Sequence, residues 1–366
     1  MSIASAIQNA QTKVANAYTA VNTKGGTLPA TQNLTNLPAA ISSIPSGGGV
    51  GIPREISLSG TFQMPSSSFT FSLPSNATDI GKSGLYYSFY GCTTITGVDL
   101  PNLTTISGSN ALYNAFNNCI NLVDVDFSSL TTVSGTSSLS YAFSGCTNLE
   151  NLDLSSLTTV SGASAMNYTF QYCSKITGAL DLSSITSIKG SSSMQYTFYS
   201  CSGITSVDLS GLIELGNSND SSCCKSTFYS CTNLASIDLS NLEQIGSSTA
   251  GISYGHLQYF CGNTQVTTLS FPELTAIYCS GSASGHGTFG YNTSIQKMYF
   301  PKLTTITYGS GASSSYQVAC QNIFVGCSNL TELHFGRTNQ SAIEATAGYS
   351  TAWGRGAGNV TIYFDL

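Results

Sequence analysis

Six aspartates, Asp99, Asp126, Asp153, Asp181, Asp208 and Asp238, recur along the chain at steps of 27 to 30 residues. Carboxylates brought into register can hold a hard cation, share proton transfer at a glycosidic bond, or face a ligand as an acidic strip. Calcium asks for about six to eight oxygens, more than a bare column of single carboxylates supplies. Nothing in the sequence picks out one pair as an acid and its base. Each aspartate stands between two apolar residues, as Asp153 does between Leu152 and Leu154, so alternation along a strand turns its side chain outward. Stacked carboxylates repel. Neighbouring Ser, Thr or Asn groups must offset this in a solvated column, or the column is a strip that faces a ligand. Ser270, Tyr299 and His334 take the equivalent positions near the C-terminus and break the series.

Other chemistry is sparse. His256, His286 and His334 lie far apart with no metal-ligand spacing, and neither a nucleophile elbow nor a phosphate-binding Gly-Lys-Ser/Thr loop occurs. Cys223 and Cys224 beside Lys225 form a candidate reactive thiol site or a loop insertion with incidental cysteines. No catalytic residue, metal site or cofactor is expected.

The elements that must position the aspartates announce themselves through a second recurrence. Phe and Cys stand three residues apart at Phe89/Cys92, Phe116/Cys119, Phe143/Cys146, Phe170/Cys173, Phe198/Cys201 and Phe228/Cys231, with three weaker copies at Phe260/Asn263, Phe289/Asn292 and Phe324/Cys327. The first three steps are 27 residues and the later ones run from 28 to 35. Self-similarity at such a period predicts a solenoid of about nine rungs, in which each unit buries its apolar face only against its neighbours. In the clearest copy Phe143, Cys146, Leu149, Leu152, Leu154, Leu157 and Val160 point inward. Leu152, Asp153 and Leu154 are read as the parallel strand of the rung, and Gly162 permits the turn that follows. The cysteine position is apolar in character, and in-register Cβ vectors are parallel, so reduced core thiols are expected. The pairs Thr104/Thr105, Thr131/Thr132, Thr158/Thr159 and Thr304/Thr305 form a column suited to bracing the stack. Tyr113, Tyr141, Tyr168 and Tyr196 form another, either as wall packing or as an aromatic binding stripe.

Composition narrows the partners. Charged residues make up 8% of the 366, against roughly 25% in ordinary soluble chains. With 41% hydrophobic residues the chain can still bury enough to fold. Only 11 Lys and Arg are present, scattered, and the net charge is −6. A duplex binder needs a basic stripe, so nucleic acid is excluded as a partner, and an anionic membrane surface is disfavoured likewise. No apolar run reaches the roughly 20 residues of a membrane span, and the first residues lack the basic and apolar regions of a secretory signal.

The repeat resembles the BspA-like leucine-rich repeat over roughly residues 85–335. The resemblance implies short parallel strands lining one side, and binding rather than catalysis. It also implies the company of bacterial surface adhesins, which carry secretion signals and wall anchors that are not evident here.

Ahead of the repeat, Ile3, Ile7, Ala10, Val14, Ala17 and Val21 follow a 4-3-4-3-4 spacing, the seam of a helix over residues 3–22 that needs a partner. Gly25 and Gly26 end it, a second segment spans residues 37–44, and a glycine-rich linker follows at 45–49. The run Ala6, Ile7, Gln8, Asn9, Ala10, Gln11, with Val14, Ala17, Tyr18, Gly26, Leu28, Pro29, Asn33, Leu37, Ile41 and Ile44, looks like the start of bacteriophage tail and fibre proteins. The expected class is therefore a β-rich α/β solenoid of leucine-rich-repeat type preceded by an N-terminal α-helix. Its expected parts are a helical attachment module (1–48), a β-rich N-terminal cap (49–84), the solenoid (85–335) and a C-terminal cap (336–366). The expected function is a non-enzymatic virion protein, a tail fibre or receptor-binding protein. Residues 1–48 would join other virion proteins or sister copies, with a trimer favoured, and the repeat would face a host-surface glycan or protein. A bacterial surface adhesin, a capsid decoration protein and a polysaccharide-degrading tail spike are the alternatives.

Overall fold

The computed structural model describes residues 67–73, 77–216, 222–248, 255–279, 287–308, 322–355 and 359–366, together with Ala17. Of the helical seam, Ile3, Ile7, Ala10, Val14 and Val21 lie outside the described residues, and Ala17 is helical and half-buried.

The rungs stack as predicted, but each has three sides and two of them are strands. On one side lie parallel sheets of four, three and four strands, running from Phe69–Ser72 through Asp124–Asp126, Gly178–Asp181 and Ser236–Asp238 to Thr361–Phe364. On the second side, eight short strands from Thr105–Ile106 to Thr305–Tyr308 pair in strict parallel register, as in Thr132 with Thr159 and Val133 with Val160. The expected strand over Leu152, Asp153 and Leu154 shrinks to Asn151–Leu152, and the resemblance's single strand-lined side becomes two.

Among the described residues the third side carries no α-helix in the repeat. The longest helix among the described residues is the five-residue Gln340–Glu344, so the helical half of the α/β expectation is corrected for the repeat. Consecutive turns run instead, and their hydrogen bonds alternate. The N–H groups of Ala111, Tyr113, Ala115 and Asn117 reach back three residues within the rung. Those of Asn110, Leu112, Asn114, Phe116 and Asn118 reach carbonyls of the next rung, Thr136, Ser138, Ser140, Ala142 and Ser144. No main-chain donor from 110 to 118 is left unmet, which is what burial of the segment demands. The geometry requires a left-handed residue at every fourth position, seen at Asn110, Asn114 and Asn118 (φ 56, 54 and 58).

The core is a set of in-register columns. Phe89, Phe116, Phe143, Phe170, Phe198 and Phe228 stack with ring centroids 5.1–5.6 Å apart and interplanar angles of 3–14°. Offset stacking of this kind adds about 0.5–1.5 kcal/mol per pair beyond burial. Gly135 and Gly162 serve close approach rather than an unusual turn: a β-carbon on Gly162 would sit 2.4 Å from the Gly135 carbonyl oxygen.

The Phe column breaks where the copies were weakest. Phe260 meets Phe228 edge-on at 79°. The Phe228 N–H bonds the Phe260 carbonyl, whereas in earlier rungs the phenylalanine N–H bonds the residue before the next phenylalanine. Phe260 is thus one position out of register, and the Phe260/Asn263 copy is corrected accordingly. In the following rung Asn292 takes the cysteine position and reconciles the two registers. It is fully buried, accepts the Cys261 N–H at 2.9 Å, and donates to Leu257 O at 2.8 Å and Phe289 O at 2.7 Å.

At the C-terminal end Trp353, fully buried, packs on Phe324 and Phe335, and its carbonyl accepts the Phe324 N–H. The helix Gln340–Glu344 lies against the last strand of the second sheet and buries Ile343.

Candidate functional site

The aspartate column stands where alternation put it. Val98, Val125, Leu180 and Val207 point into the core from the first side, and the neighbouring aspartates point out. Asp99 pairs with Asp126 across the first rungs, and Asp181, Asp208 and Asp238 continue farther along. The column lines two shallow open troughs. One, about 710 Å³, holds Asp99, Asp124, Asp126, Glu150 and Asp153; the other, about 670 Å³, holds Asp181, Asp208 and Asp238.

The carboxylates have partners that explain their tolerance of one another. Asp126 Oδ1 accepts the Ser128 N–H at 2.9 Å and the Ser128 hydroxyl at 2.6 Å. Asp153 does the same with Ser155, and Asp181 with Ser183. Asp208 and Asp238 accept the N–H of Ser210 and Ser240 at 2.8 Å. Each is an Asx turn that closes the strand. The two hydrogen bonds from Ser183, hydroxyl first, hold the Asp181 carboxyl below its ordinary range. Asp99 is the exception. Pro101 occupies the serine position and has no N–H to give. Burial, then the charges of Asp126 and Asp124, raise the Asp99 carboxyl. Four described lysines, Lys175, Lys189, Lys297 and Lys302, pair with Glu150, Glu214, Glu332 and Glu273 rather than with the aspartates.

Near the C-terminus the same column turns aromatic. Tyr299, His334 and Tyr363 stand in register and stack at 4.5 and 4.6 Å. His334 presents Nδ1 to Asp365 at 3.0 Å and Nε2 to Glu332 at 3.2 Å.

Two other columns prove structural. Thr131 and Thr158 donate their hydroxyls to Thr104 O and Thr131 O, both at 3.0 Å, binding rung to rung. The cysteines do more than fill space. Each thiol of Cys119, Cys146, Cys173, Cys201 and Cys231 donates to the phenylalanine carbonyl one rung back, at 3.0–3.2 Å. Among the described residues ten cysteines are buried and outside any disulfide. Burial pushes the thiols of Cys146, Cys224, Cys231 and Cys327 up to about 12, which keeps them protonated and unreactive. Cys223 and Cys224 are both buried in the core, away from the exposed setting that a reactive thiol needs, so the reactive-thiol alternative is corrected.

Among the described residues no group of three or more His, Cys, Asp or Glu could hold a metal ion, and no helix is long and apolar enough to cross a membrane. His256 is fully buried, neither ring nitrogen has a partner, and burial lowers it to about 4.

A family model for the BspA type leucine rich repeat region, found in six copies, matches residues 58–217, 115–246 and 167–272, more than half of the chain. The chain belongs to the BspA-type leucine-rich-repeat family. No curated protein matches it. Solved structures similar to this BspA-type chain include a leucine-rich repeat protein from Bacteroides ovatus, 15% identical, covering 83% of this chain and 94% of that one at a TM-score of 0.25. A leucine rich cell surface protein from Faecalibacterium prausnitzii is also 15% identical, covering 81% and 91% at 0.29. The Leptospira interrogans leucine-rich-repeat protein is 11% identical, covering 83% of each chain at 0.26.

Within this BspA-type frame, the structure aligns all six sequence-predicted aspartates on one face but divides them between two troughs. Sequence reasoning expected neighbouring Ser, Thr or Asn partners without naming them, although the spacing was visible: Asp126, Asp153, Asp181, Asp208 and Asp238 are each followed two residues on by serine. It missed Asp124 and Glu150, which sit at irregular positions of the repeat.

Proposed function

We propose that the chain is a non-enzymatic binding protein that displays its solenoid at a bacterial cell surface, as an adhesin of the BspA-like kind. The observation that carries this reading is the repetition of one shallow surface along the strand face. The two troughs are open and extended, built from side chains that recur rung after rung, which suits contact with a large or polymeric ligand. The Asx turns support the same reading, because they commit five of the six aspartates to holding the surface in shape. Incubating the purified chain with intact bacterial and epithelial cells tests it. Saturable cell binding is expected, with no release of reducing sugar from surface polysaccharide; sustained sugar release or absence of binding to either cell type would sink it.

A second reading is favoured by residues 1–48. Their resemblance to the start of phage tail and fibre proteins supports a virion receptor-binding protein, made in the host cytoplasm and joined to the particle or to sister copies, as a trimer, through the seam from Ile3 to Val21. Capsid decoration and a polysaccharide-degrading spike are other forms of this reading. Light scattering on the full chain and on a chain starting at residue 50 tests the seam: loss of the oligomer on truncation supports it, and equal monomeric masses remove it.

A further inference from the structure

The turn side carries a feature that neither the aspartate face nor the core explains. Tyr87, Tyr113, Tyr141, Tyr168, Tyr196, Tyr199, Tyr229, Tyr259 and Tyr291 touch ring to ring without a gap, at centroid distances of 4.5–6.2 Å. All nine are half-buried, and Tyr86, Tyr90 and Tyr172 beside them are exposed at 38%, 47% and 49%. We propose that this tyrosine row is a docking track for a neutral, linear polysaccharide of a cell surface. The inference deepens the proposed function and rests on it.

Backbone conformation supplies the first argument. Seven tyrosines, Tyr87, Tyr141, Tyr168, Tyr172, Tyr196, Tyr259 and Tyr291, have φ between 54 and 64. The left-handed region suits Gly and Asn and is a true outlier for a bulky side chain. The same positions elsewhere on this side hold asparagine or serine: Asn114 and Ser226 stand two residues before their phenylalanines, where Tyr141, Tyr168 and Tyr196 stand before theirs. The fold therefore accepts a small polar residue there. What a stacked ring pair returns is comparable to what the left-handed backbone costs, so stability alone gives no reason to keep tyrosine. Strain retained without need points to function.

The chemistry selects the ligand. Tyr141, Tyr168 and Tyr196 stack within 10° of parallel, so their faces are used on one another; the Tyr168 hydroxyl bonds Tyr196, and the ring edges and remaining hydroxyl valences are left for a partner. Asn118, Gln171 and Ser200, exposed or half-buried on the same turn side, add further amide and hydroxyl groups. Such a strip offers hydrogen bonds and ring edges at the repeat of the rungs, which matches a polymer of regular hydroxyl-bearing units. A protein partner would instead need an apolar centre with pockets for anchor side chains. An anionic glycan would need cations, and among the described residues Lys225, 5.9 Å from the Tyr259 ring, is the one that cation–π contact brings to the row.

The full-length chain should be run by affinity electrophoresis in gels cast with hydroxyethyl cellulose, galactomannan or arabinoxylan. Retardation by at least one of them is expected. It should weaken at least tenfold in the triple variant Tyr141→Asn, Tyr168→Asn, Tyr196→Asn with no fall in melting temperature, and persist in Asp126→Asn, Asp153→Asn. Should the asparagine triple fail to fold, the Tyr→Phe triple decides, since it keeps the stack and removes the hydroxyls. No retardation of the parent chain in any gel, or retardation that the folded triple keeps, overturns the inference. Adhesion to intact cells, measured in parallel, separates the two readings. Cell binding that survives the triple, or that protease treatment of the cells abolishes, removes this inference and leaves the proposed function. No cell binding at all removes both.

Discussion

The Cys201 thiol lies 3.0 Å from the carbonyl oxygen of Phe170, one rung back, and donates to it. The recurring cysteine is therefore a hydrogen-bond donor between rungs as well as a core residue. Cys201→Val keeps the bulk and removes the donor, and should cost about 1 kcal/mol in urea denaturation. Cys201→Ser keeps a donor and should cost less. A thiol reagent added to the native protein should find none of the ten described buried cysteines reactive, and adding reductant should leave the melting curve unmoved.

His256 makes stability depend on pH with a predictable sign. Burial lowers its folded value to about 4 from an ordinary 6.5. Between those values the unfolded chain takes up a proton that the folded chain refuses, so stability falls as pH drops from 7 to 4. The full effect is about 3 kcal/mol, since each pH unit of separation is worth about 1.4 kcal/mol. Thermal melts across that range should show the fall, and His256→Leu should flatten it. A wild-type curve as flat as the variant's would contradict the burial.

The aspartate column calls for asparagine rather than alanine as its probe. Asn at position 126 or 153 can still accept the serine N–H and hydroxyl, and the melting temperature should hold. Ala at both positions breaks two Asx turns and should cost about 1 kcal/mol at each. If the Ala pair is as stable as the parent, the turns contribute nothing.

Asn292 is the most demanding polar side chain of the core. Its replacement by Ala leaves the Cys261 N–H and the Leu257 carbonyl buried without that partner and opens a cavity. A loss of about 3 kcal/mol is expected in urea denaturation. Asn292→Cys restores a thiol donor toward the Leu257 carbonyl but leaves the Cys261 N–H unmet, and should cost less than alanine while still destabilising.

Much of this architecture was legible because burial repeats with the sequence. Phe116, Cys119, Leu122, Val125 and Val133 are buried in one rung, and in the next Phe143, Cys146, Leu149 and Val160 are buried with Leu152 half-buried. The outward aim of Asp126 followed from alternation alone. The rest was hidden for particular reasons. Thr132–Val133 is a strand of two residues, too short to show a period. The left-handed tyrosines are invisible in composition, since tyrosine argues against that backbone. Phe260 looks like a member of the phenylalanine column, and only the hydrogen bond from Phe228 reveals that it stands one place early. Trp353 belongs to no repeat, so nothing in the periodicity marks it as the residue that packs beneath Phe324 and Phe335.

The alternating hydrogen bonds of the turn side have a mechanical meaning. A molecule anchored at one end and pulled at the other carries load through its rungs in series, each gripping the next through main-chain bonds that must break together. The joint between residues 257 and 292 differs, because one side chain, Asn292, replaces part of that grip. Under tension the stack is expected to part there first, so that the stretch from Phe89 to Phe228 stays clasped while the far end yields. A spectroscopist stretching single molecules would see two force plateaus, with the break in register acting as the fuse.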